Sequence, residues 1–432
     1  MTLDRLLFPL LAVVLAGPAL LGAVLLLGRQ RATVWQPRIA VLHSMLMVVA
    51  TTLVASAWSS HAAERFEDRL RPVLELGHYR WEPMFLVDGH TVLYMVLVAL
   101  VYPVVVRFSL PSFQREQGSG RYWFLVTLLG ASLWLLCVAG NLDTLFVAWE
   151  LVGVSSVMLI GFFRTHVRAA QNSLRALVYY RLGDFLILLA AVLIHHTFPD
   201  QRFAAFDQDV HSPYALPVAM ALLGGSLAKS AQLPMSPWLH RAMEGPAASS
   251  AIFYGALSVH LGPFLLLRTR ELWWPSWIAC GTMLAIGLLT SVWATLVGRT
   301  RPDAKTALAY STMAQIGIMY AELAVGLHTL AAVHLFAHAG LRTWQFLRSS
   351  SLIQDFQDNP VFAGSVTLQR RLFFEHVLPV SVQRRLYLAA VRLFWVDALQ
   401  WHLVARPFLG LFRCIAHAED TILGRRNRGG AP

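Results

Sequence analysis

The stretch NLDTLFVAWELVGVSSVMLIGFF, residues 141–163, decides the fold class of this chain. It is apolar on both sides of Glu150, and its length exceeds the roughly 20 residues that an α-helix needs to cross the hydrocarbon core of a bilayer. A carboxylate inside such a helix is costly in free energy, so it is retained mostly where it has a function. The stretch therefore predicts a membrane-spanning helix that carries a buried ionisable group.

The rest of the 432-residue chain has the same apolar character. Hydrophobic residues make up 56% of it and charged residues 14%, whereas soluble domains carry roughly 25% charged residues. A soluble protein is therefore excluded. The net charge of +11 does not indicate binding to nucleic acid. The arginines lie in short loops between apolar segments and in the C-terminal tail, which is typical of a membrane protein.

Apolar segments of helical length follow one another along the chain. Only helices and closed barrels satisfy their backbone hydrogen bonds inside a bilayer, so we predict an all-α polytopic membrane protein with about 11 spans. The first segment lacks the basic start and the cleavage site of a signal peptide, and we expect it to be retained. The predicted segments are about 6–28, 39–58, 84–108, 121–139, 142–163, 171–197, 214–243, 246–268, 275–298, 302–326 and 329–352.

Arginines are concentrated in the loops that follow odd-numbered spans, whereas the other loops are neutral or acidic. By the positive-inside rule, the arginine-rich loops face the cytoplasm of a bacterial cell. This orientation puts the N-terminus outside the inner membrane and the C-terminal tail inside. The arginines concerned are Arg29, Arg31, Arg38, Arg115, Arg121, Arg164, Arg168, Arg175, Arg299 and Arg301.

We divide the chain into a transmembrane domain, residues 1–352, and a cytoplasmic or interfacial tail, residues 353–432. Within the tail, residues 383–425 mix apolar and basic residues at helical spacing. This pattern is typical of an amphipathic helix that lies on a membrane or against a partner protein. Large aromatic residues are the expected docking anchors; they are Phe394, Trp395, Trp401, Phe408 and Phe412.

The chain has only two lysines, Lys229 and Lys305, among 35 basic residues. Lys229 precedes Pro234 and Pro237, which remove backbone donors and predict a helix break. Broken helices near the middle of the membrane line ion pathways in many transporters. A lysine, unlike an arginine, can lose its proton when it is desolvated. Glu150 and Lys229 therefore predict a proton relay, with a purely structural ion pair as the alternative.

Four further ionisable residues within the predicted spans could belong to the same path. Asp184 follows Arg181 by three residues on one helix face, which fits a structural pair as well as a functional one. His334, His338 and Arg342 are spaced four residues apart and share a helix face. They could pass protons or hold helices together by polar contacts.

His260 is a further candidate inside the membrane. Lys305 stands in a predicted first helical turn, where snorkelling to the interface explains it as well as proton handling does. Two histidines offer too few ligands for a metal site, and the three cysteines show neither metal nor disulfide spacing. We therefore predict no catalytic residue, no metal and no cofactor in this chain.

Several continuous phrases in this sequence resemble the antiporter-like subunits of respiratory complex I and of Mrp-type sodium/proton antiporters. The resemblance implies that Glu150 and Lys229 are paired channel residues. It also implies that Lys305, His334 and His338 belong to a central polar axis. The phrases are FLVDG (85–89), WELVGVSSVMLIGF (149–162), RLGD (181–184), AKSAQLPMSPWLHRAMEGP (228–246), DAKTALAYSTMAQIG (303–317) and HLFAHAGLRTWQFL (334–347).

The sequence departs from that family in three respects. Arg342 stands where the family has a lysine, and a guanidinium cannot deprotonate. Tyr254 stands where a histidine is expected. The family carries two inverted five-helix repeats, of which one is complete here and the second is shortened, so a full second half-channel is not implied.

The tail resembles that of a narrower relative, the DabB-type membrane subunit of DAB inorganic carbon accumulation systems. This resemblance implies that protons or sodium ions flow through the chain and drive conversion of CO2 to bicarbonate in a DabA-type cytoplasmic partner. That partner is carbonic anhydrase-like and holds zinc. Two alternatives remain: a proton-translocating module of a complex I, membrane hydrogenase or Mrp-type assembly, and a non-conducting membrane scaffold. The tail phrases are SSSLIQDFQ (349–357), LPVSVQRRLYLAAVRLFWVDAL (378–399) and ARPFLGLFR (405–413).

Overall fold

The computed structural model describes most of the chain as two compact units, Met1–Arg370 and Arg371–Pro432, and each is considered by itself. The described residues are 3–26, 32–61, 64–77, 79–114, 116–198, 201–203, 205–206, 213–358 and 379–400, with residues 402, 406, 410 and 414. Some residues of the sequence argument lie outside these ranges, namely Arg29, Arg31, Arg115, Trp401, Phe408 and Phe412.

The first unit is built mainly from helices, as predicted. Eight helical segments are long and apolar enough to cross a membrane. The prediction of an all-α polytopic membrane protein is therefore confirmed. The helices are α1 Leu3–Leu26, α2 Ala32–Ser60, α3 Gly89–Ser112, α4 Ser119–Val138, α5 Leu142–Ile160, α6 Val167–Thr197, α7 Ala215–Lys229, α8 Ala247–Ser250, α9 Leu261–Arg268, α10 Arg270–Trp273, α11 Trp277–Gly298, α12 Ala304–Ala324 and α13 His328–Asp358.

Three helices at predicted spans fall outside those eight. Helix α7 is apolar but has only 15 residues. Helices α12 and α13 are long, with 21 and 31 residues, but they carry the polar and ionisable side chains discussed below. Helix α12 packs between α11 and α13, and α7 packs against α6. That these three helices also cross the membrane remains a prediction.

Four short strands in the loop between α2 and α3 are absent from the sequence prediction. They are β1 Phe66–Arg69, β2 Leu74–Leu76, β3 Tyr79–Trp81 and β4 Met84–Val87. β1 pairs antiparallel with β4, and β2 pairs antiparallel with β3. The predicted span 84–108 was therefore wrong at its start. The apolar residues Phe85, Leu86 and Val87 are buried in a strand, and α3 begins only after its N-cap Asp88.

Two helices are interrupted inside the first unit. Helix α7 ends at Lys229, so the predicted break is confirmed, and Ala231 adopts a left-handed φ of 51° just beyond it. The segment 246–268, predicted as one continuous helix, is interrupted by a π-helical turn at Ala251–Ala256 and a 3₁₀ turn at Ser258–His260. Such irregular turns inside a helix redirect side chains and are frequent at functional sites.

The second unit contains the amphipathic segment in part. It has α14 Val380–Val391, a short 3₁₀ turn and α15 Val396–Gln400. Tyr387, Trp395 and Leu399 are more than half exposed, with relative exposures of 58%, 54% and 58%. Arg384, Arg385 and Arg392 are exposed as well. The helical part of the predicted tail is thus observed over residues 380–400, and its role in docking remains a prediction.

Candidate functional site

Lys229 is the last residue of α7, and its side chain is buried in an aromatic pocket. Its Nζ lies 4.9 Å from the ring centroid of Trp149 and 4.4 Å from that of Tyr180. It also donates a hydrogen bond of 3.2 Å to the carbonyl oxygen of Trp149. Gly153 faces this ammonium group, because a Cβ there would lie only 3.1 Å from Nζ. The pocket stabilises a cation with ring faces and a carbonyl rather than with a direct carboxylate contact.

Arg181 gathers the two predicted carboxylates beside this pocket. Its Nη2 lies 2.5 Å from Oε2 of Glu150 and 2.9 Å from Oδ2 of Asp184. Trp149 Nε1 donates to Oδ1 of Asp184 at 2.9 Å. We call Glu150, Arg181, Asp184 and Lys229 the lysine cluster.

The predicted direct pair of Glu150 and Lys229 is not formed in the part of the chain that the structure describes. Arg181 stands three residues before Asp184 on α6, so its long side chain can reach both Asp184 on its own helix and Glu150 on α5. The sequence indicated the pairing of Arg181 with Asp184, which is confirmed. It did not indicate that Glu150 shares the same guanidinium.

Serine side chains continue the polar contacts from the lysine cluster towards the interrupted segment. Ser156 on α5 lies 3.4 Å from Ser258, hydroxyl to hydroxyl. Ser230, next to Lys229, donates to the carbonyl oxygen of Val259 at 2.6 Å. Ser258 and Val259 directly precede His260, so these contacts join α5 and the end of α7 to the 3₁₀ turn that carries His260. Sequence reasoning missed them because serine in a membrane helix carries no distinctive signal.

His260 and His338 form a hydrogen-bonded pair, with His260 Nε2 3.0 Å from His338 Nδ1. Both are buried, at 0% and 6% relative exposure. Arg342 Nε donates to His338 Nε2 at 2.9 Å. The predicted common face of His338 and Arg342 on α13 is therefore confirmed, and α13 brings it against the 3₁₀ turn that carries His260.

His334 occupies the other end of this group. Its Nδ1 lies 2.9 Å from Oε1 and 3.1 Å from Oε2 of Glu322, near the end of α12. Its ring centroid is 5.9 Å from that of His338. Glu322 was missed, although a lone carboxylate in the apolar phrase YAELAVG is a signal that could have singled it out. We call His260, Glu322, His334, His338 and Arg342 the histidine cluster.

Two residues from the family resemblance lie apart from these contacts. Lys305 is half-buried in the first turn of α12, which Asp303 caps by accepting a hydrogen bond of 2.7 Å from the backbone of Thr306. Tyr254, at the position of an expected histidine, donates to the carbonyl oxygen of Ala242 at 3.0 Å. The geometry brings neither side chain into the histidine cluster. A role for Lys305 on the polar axis remains a prediction.

Sequence reasoning also did not predict a buried ion pair that lies outside both clusters. Arg268, the last residue of α9, lies 2.8 Å from Oδ1 of Asp88 through its Nη1. Its Nη2 donates to Thr91 Oγ1 and to the carbonyl oxygen of Cys137, each at 2.7 Å. Asp88 also caps α3 by accepting from the backbone of Thr91 at 2.8 Å. These contacts connect α3, α4 and α9 at one end of the unit.

Known proteins are similar to this chain in sequence. NADH-ubiquinone oxidoreductase chain 5 of Neurospora crassa is 31% identical over 281 residues, which are 64% of this chain and 39% of that protein. NADH-quinone oxidoreductase subunit L of Buchnera aphidicola is 29% identical over 312 residues, 71% of this chain and 51% of that protein. The chain thus spans between two fifths and half of these curated relatives.

A solved structure shares the fold. The structure of the Mrp complex from Dietzia sp. DQ12-45-1b contains a chain that is 25% identical and aligns with a TM-score of 0.68, over 79% of this chain and 37% of that chain. The transmembrane family described as NADH:quinone oxidoreductase/Mrp antiporter matches residues 139–370. That region is more than half of the chain and contains both clusters. This multi-pass membrane protein therefore belongs to the NADH:quinone oxidoreductase/Mrp antiporter transmembrane family.

Proposed function

We propose that this chain is a proton-conducting membrane subunit of a multi-subunit assembly of the complex I or Mrp type, and not itself an enzyme. The observation that carries the proposal is the buried Lys229 at a helix break, next to two carboxylates that share one guanidinium. The names of the relatives, which belong to oxidoreductases and to an Mrp complex, support an assembly with further subunits.

Charge balance explains how the lysine cluster relays protons. Glu150 and Asp184 together carry two negative charges when ionised, and Arg181 supplies one permanent positive charge. The cluster is neutral when Lys229 holds its proton and carries one negative charge when Lys229 releases it. Inside a membrane an uncompensated charge is costly, so release of a proton from Lys229 favours uptake of another by the same cluster. A small movement of Arg181 between the carboxylates shifts this balance.

Glu150→Gln tests the proposal directly. The amide keeps the size of the side chain but removes one negative charge, which leaves the cluster positive whenever Lys229 is protonated. Proton flux should fall by about tenfold or more, because a proton-transfer group in the path is lost. The measurement is proton uptake into liposomes that contain the purified native assembly, driven by a potassium diffusion potential.

Glu271→Gln is the matched control for that experiment. Glu271 pairs with Arg270 on α10 and contacts no residue of the lysine cluster in the described interactions. Loss of its charge should therefore leave proton flux unchanged. The same assay with an inward sodium gradient distinguishes sodium from protons as the conducted ion. Full proton flux in Glu150→Gln would contradict the relay role of the lysine cluster.

A second proposal concerns the partner, and it rests on the resemblance of the tail to DabB-type subunits. In this proposal the conducted cation drives CO2 hydration in a DabA-type zinc protein, and the exposed tail docks it. Tyr387, Trp395 and Leu399 are exposed aromatic and aliphatic side chains next to arginines, which suits a docking helix. The relatives that match the membrane unit support the oxidoreductase and Mrp proposal more directly.

Deletion of residues 383–432 should leave the membrane unit inserted, because that unit forms its own core without them. In the carbon-uptake proposal, the deletion releases the zinc-binding partner and ends bicarbonate accumulation. The measurements are co-purification with the tagged chain, the zinc content of the purified assembly, and bicarbonate uptake in cells that lack other carbon transporters. If the truncated chain kept the zinc protein and full bicarbonate uptake, the partner would dock on the membrane unit instead of the tail. If oxidoreductase or Mrp subunits co-purified instead of a zinc protein, the first proposal would be favoured.

A further inference from the structure

Hydrogen bonding fixes the proton positions on the two buried histidines. Arg342 Nε donates to His338 Nε2 at 2.9 Å, and a guanidinium has no acceptor atoms. His338 Nε2 is therefore unprotonated, and its neutral ring carries the proton on Nδ1. That proton is donated to His260 Nε2, 3.0 Å away. The pair is thus ordered so that His338 can pass a proton only towards His260.

Arg342 is held firmly in the position that blocks His338. Its Nη1 donates to Oε1 of Gln345 at 2.7 Å, and its Nη2 donates to the hydroxyl of Ser311. His338 can give its Nδ1 proton to His260 only if another proton arrives at Nε2, because an imidazolate would otherwise be left behind. Arg342 occupies that nitrogen and does not supply a proton, since a guanidinium stays protonated. In this arrangement a proton cannot pass along the histidine cluster.

Protons can enter the histidine cluster at its more exposed end, which is formed by His334 and Glu322. The side chains of His334 and Glu322 have relative exposures of 21% and 14%, whereas His260 as a whole is fully buried. They stand where α12 ends and α13 begins, at the opposite end of α12 from Arg299 and Arg301. Because the carboxylate only accepts, His334 Nδ1 donates to it, and Nε2 is left as the atom that takes up a further proton.

We propose that the Glu322–His334 pair is the proton-loading site of the histidine cluster and that Arg342 is a positioning residue that latches His338. The inference rests on the proposed proton conduction. A proton binds His334 Nε2, where the Glu322 carboxylate stabilises the imidazolium. When Arg342 withdraws, this proton passes to His338 Nε2 through a ring rotation or one water, since the ring centroids are 5.9 Å apart. The Nδ1 proton of His338 moves to His260 Nε2 as His260 gives its own Nδ1 proton to a water molecule, so one proton enters and one leaves.

Two variants of the native assembly test the two parts by proton flux into liposomes. Glu322→Gln should lower flux by about tenfold or more, because the carboxylate that stabilises the loaded proton is lost. Glu271→Gln is its control and should keep wild-type flux, because Glu271 pairs with Arg270 outside the histidine cluster. Arg342→Lys should raise flux severalfold, since a lysine can release its proton and free His338 Nε2. Arg348→Lys, beside Trp344 on the same helix, is the control for that substitution.

A spectroscopic measurement, which does not depend on proton flux, tests the contact between Arg342 and His338 separately. Solid-state nitrogen-15 spectra of histidine-labelled protein in lipid should show His338 as a single Nδ1–H tautomer, with His338→Asn used to assign the signal. Arg342→Lys should give a mixture of tautomers. An unchanged spectrum in Arg342→Lys would overturn the latch, and full flux in Glu322→Gln would overturn the loading site. If the wild-type assembly conducted no protons, both the proposed function and the loading site would be refuted. The spectra would still show whether Arg342 fixes the tautomer of His338.

Discussion

Lys229→Arg is expected to abolish proton flux while the protein remains folded in the membrane. Arginine keeps the positive charge that Glu150 and Asp184 require, so the charge balance of the lysine cluster is preserved at rest. A guanidinium does not release its proton, however, and the cluster would stay in one state. We expect a loss of about 100-fold or more, as for removal of an essential proton-transfer group.

Lys229→Ala removes both the positive charge of this residue and its transferable proton. Alanine leaves two carboxylates with only Arg181, and one of them should take up a proton to restore neutrality. Flux should again be lost. Both variants are measured as proton uptake by liposomes containing the assembly, after size-exclusion chromatography has shown normal folding. Arg348→Lys serves as the control for exchange of one cation for another. Wild-type flux in Lys229→Arg would show that the ammonium only stabilises the fold.

The positions of the helices could be predicted from the sequence, because hydrophobic length and arginine placement are local properties of a membrane protein. The break after Lys229 was predictable for the same reason, since Pro234 and Pro237 would remove backbone donors from any helix that continued past Lys229. The interruption at Ala251–Ala256 was not, because it contains no proline and its one glycine, Gly255, is a residue that membrane helices commonly tolerate. The four strands before α3 were also missed, because they are only three or four residues long.

Most residues of the clusters were named from the sequence, with Glu322 as the exception, but most of their contacts could not be predicted. A buried charge is visible in an apolar stretch, so Glu150, Lys229 and His338 stand out. Each of them contacts a side chain from a helix far away along the chain. Arg181 is 31 residues from Glu150, and His260 is 78 residues from His338. Such contacts depend on how the helices pack, and spacing within one helix does not encode them.

Arg268→Ala is expected to cause the largest loss of stability of any variant considered. The guanidinium is almost fully buried, with 1% side-chain exposure, and it satisfies Asp88, Thr91 and the carbonyl oxygen of Cys137 at once. Its removal leaves the Asp88 carboxylate, 16% exposed, without its cationic partner. Breaking a buried pair from one side costs about 3–5 kcal/mol, because the remaining charge is uncompensated.

The double variant Asp88→Asn with Arg268→Met shows whether that loss comes from the orphaned charge. Asparagine can still accept the backbone hydrogen bond from Thr91 that caps α3, and methionine fills much of the space of the arginine stem. It should therefore recover a large part of the stability that Arg268→Ala loses. The measurement is the thermal unfolding midpoint in detergent, with Arg348→Ala as the exposed control. A double variant no more stable than Arg268→Ala would mean that the hydrogen bonds to Thr91 and Cys137, rather than the ion pair, hold α9 against α3 and α4.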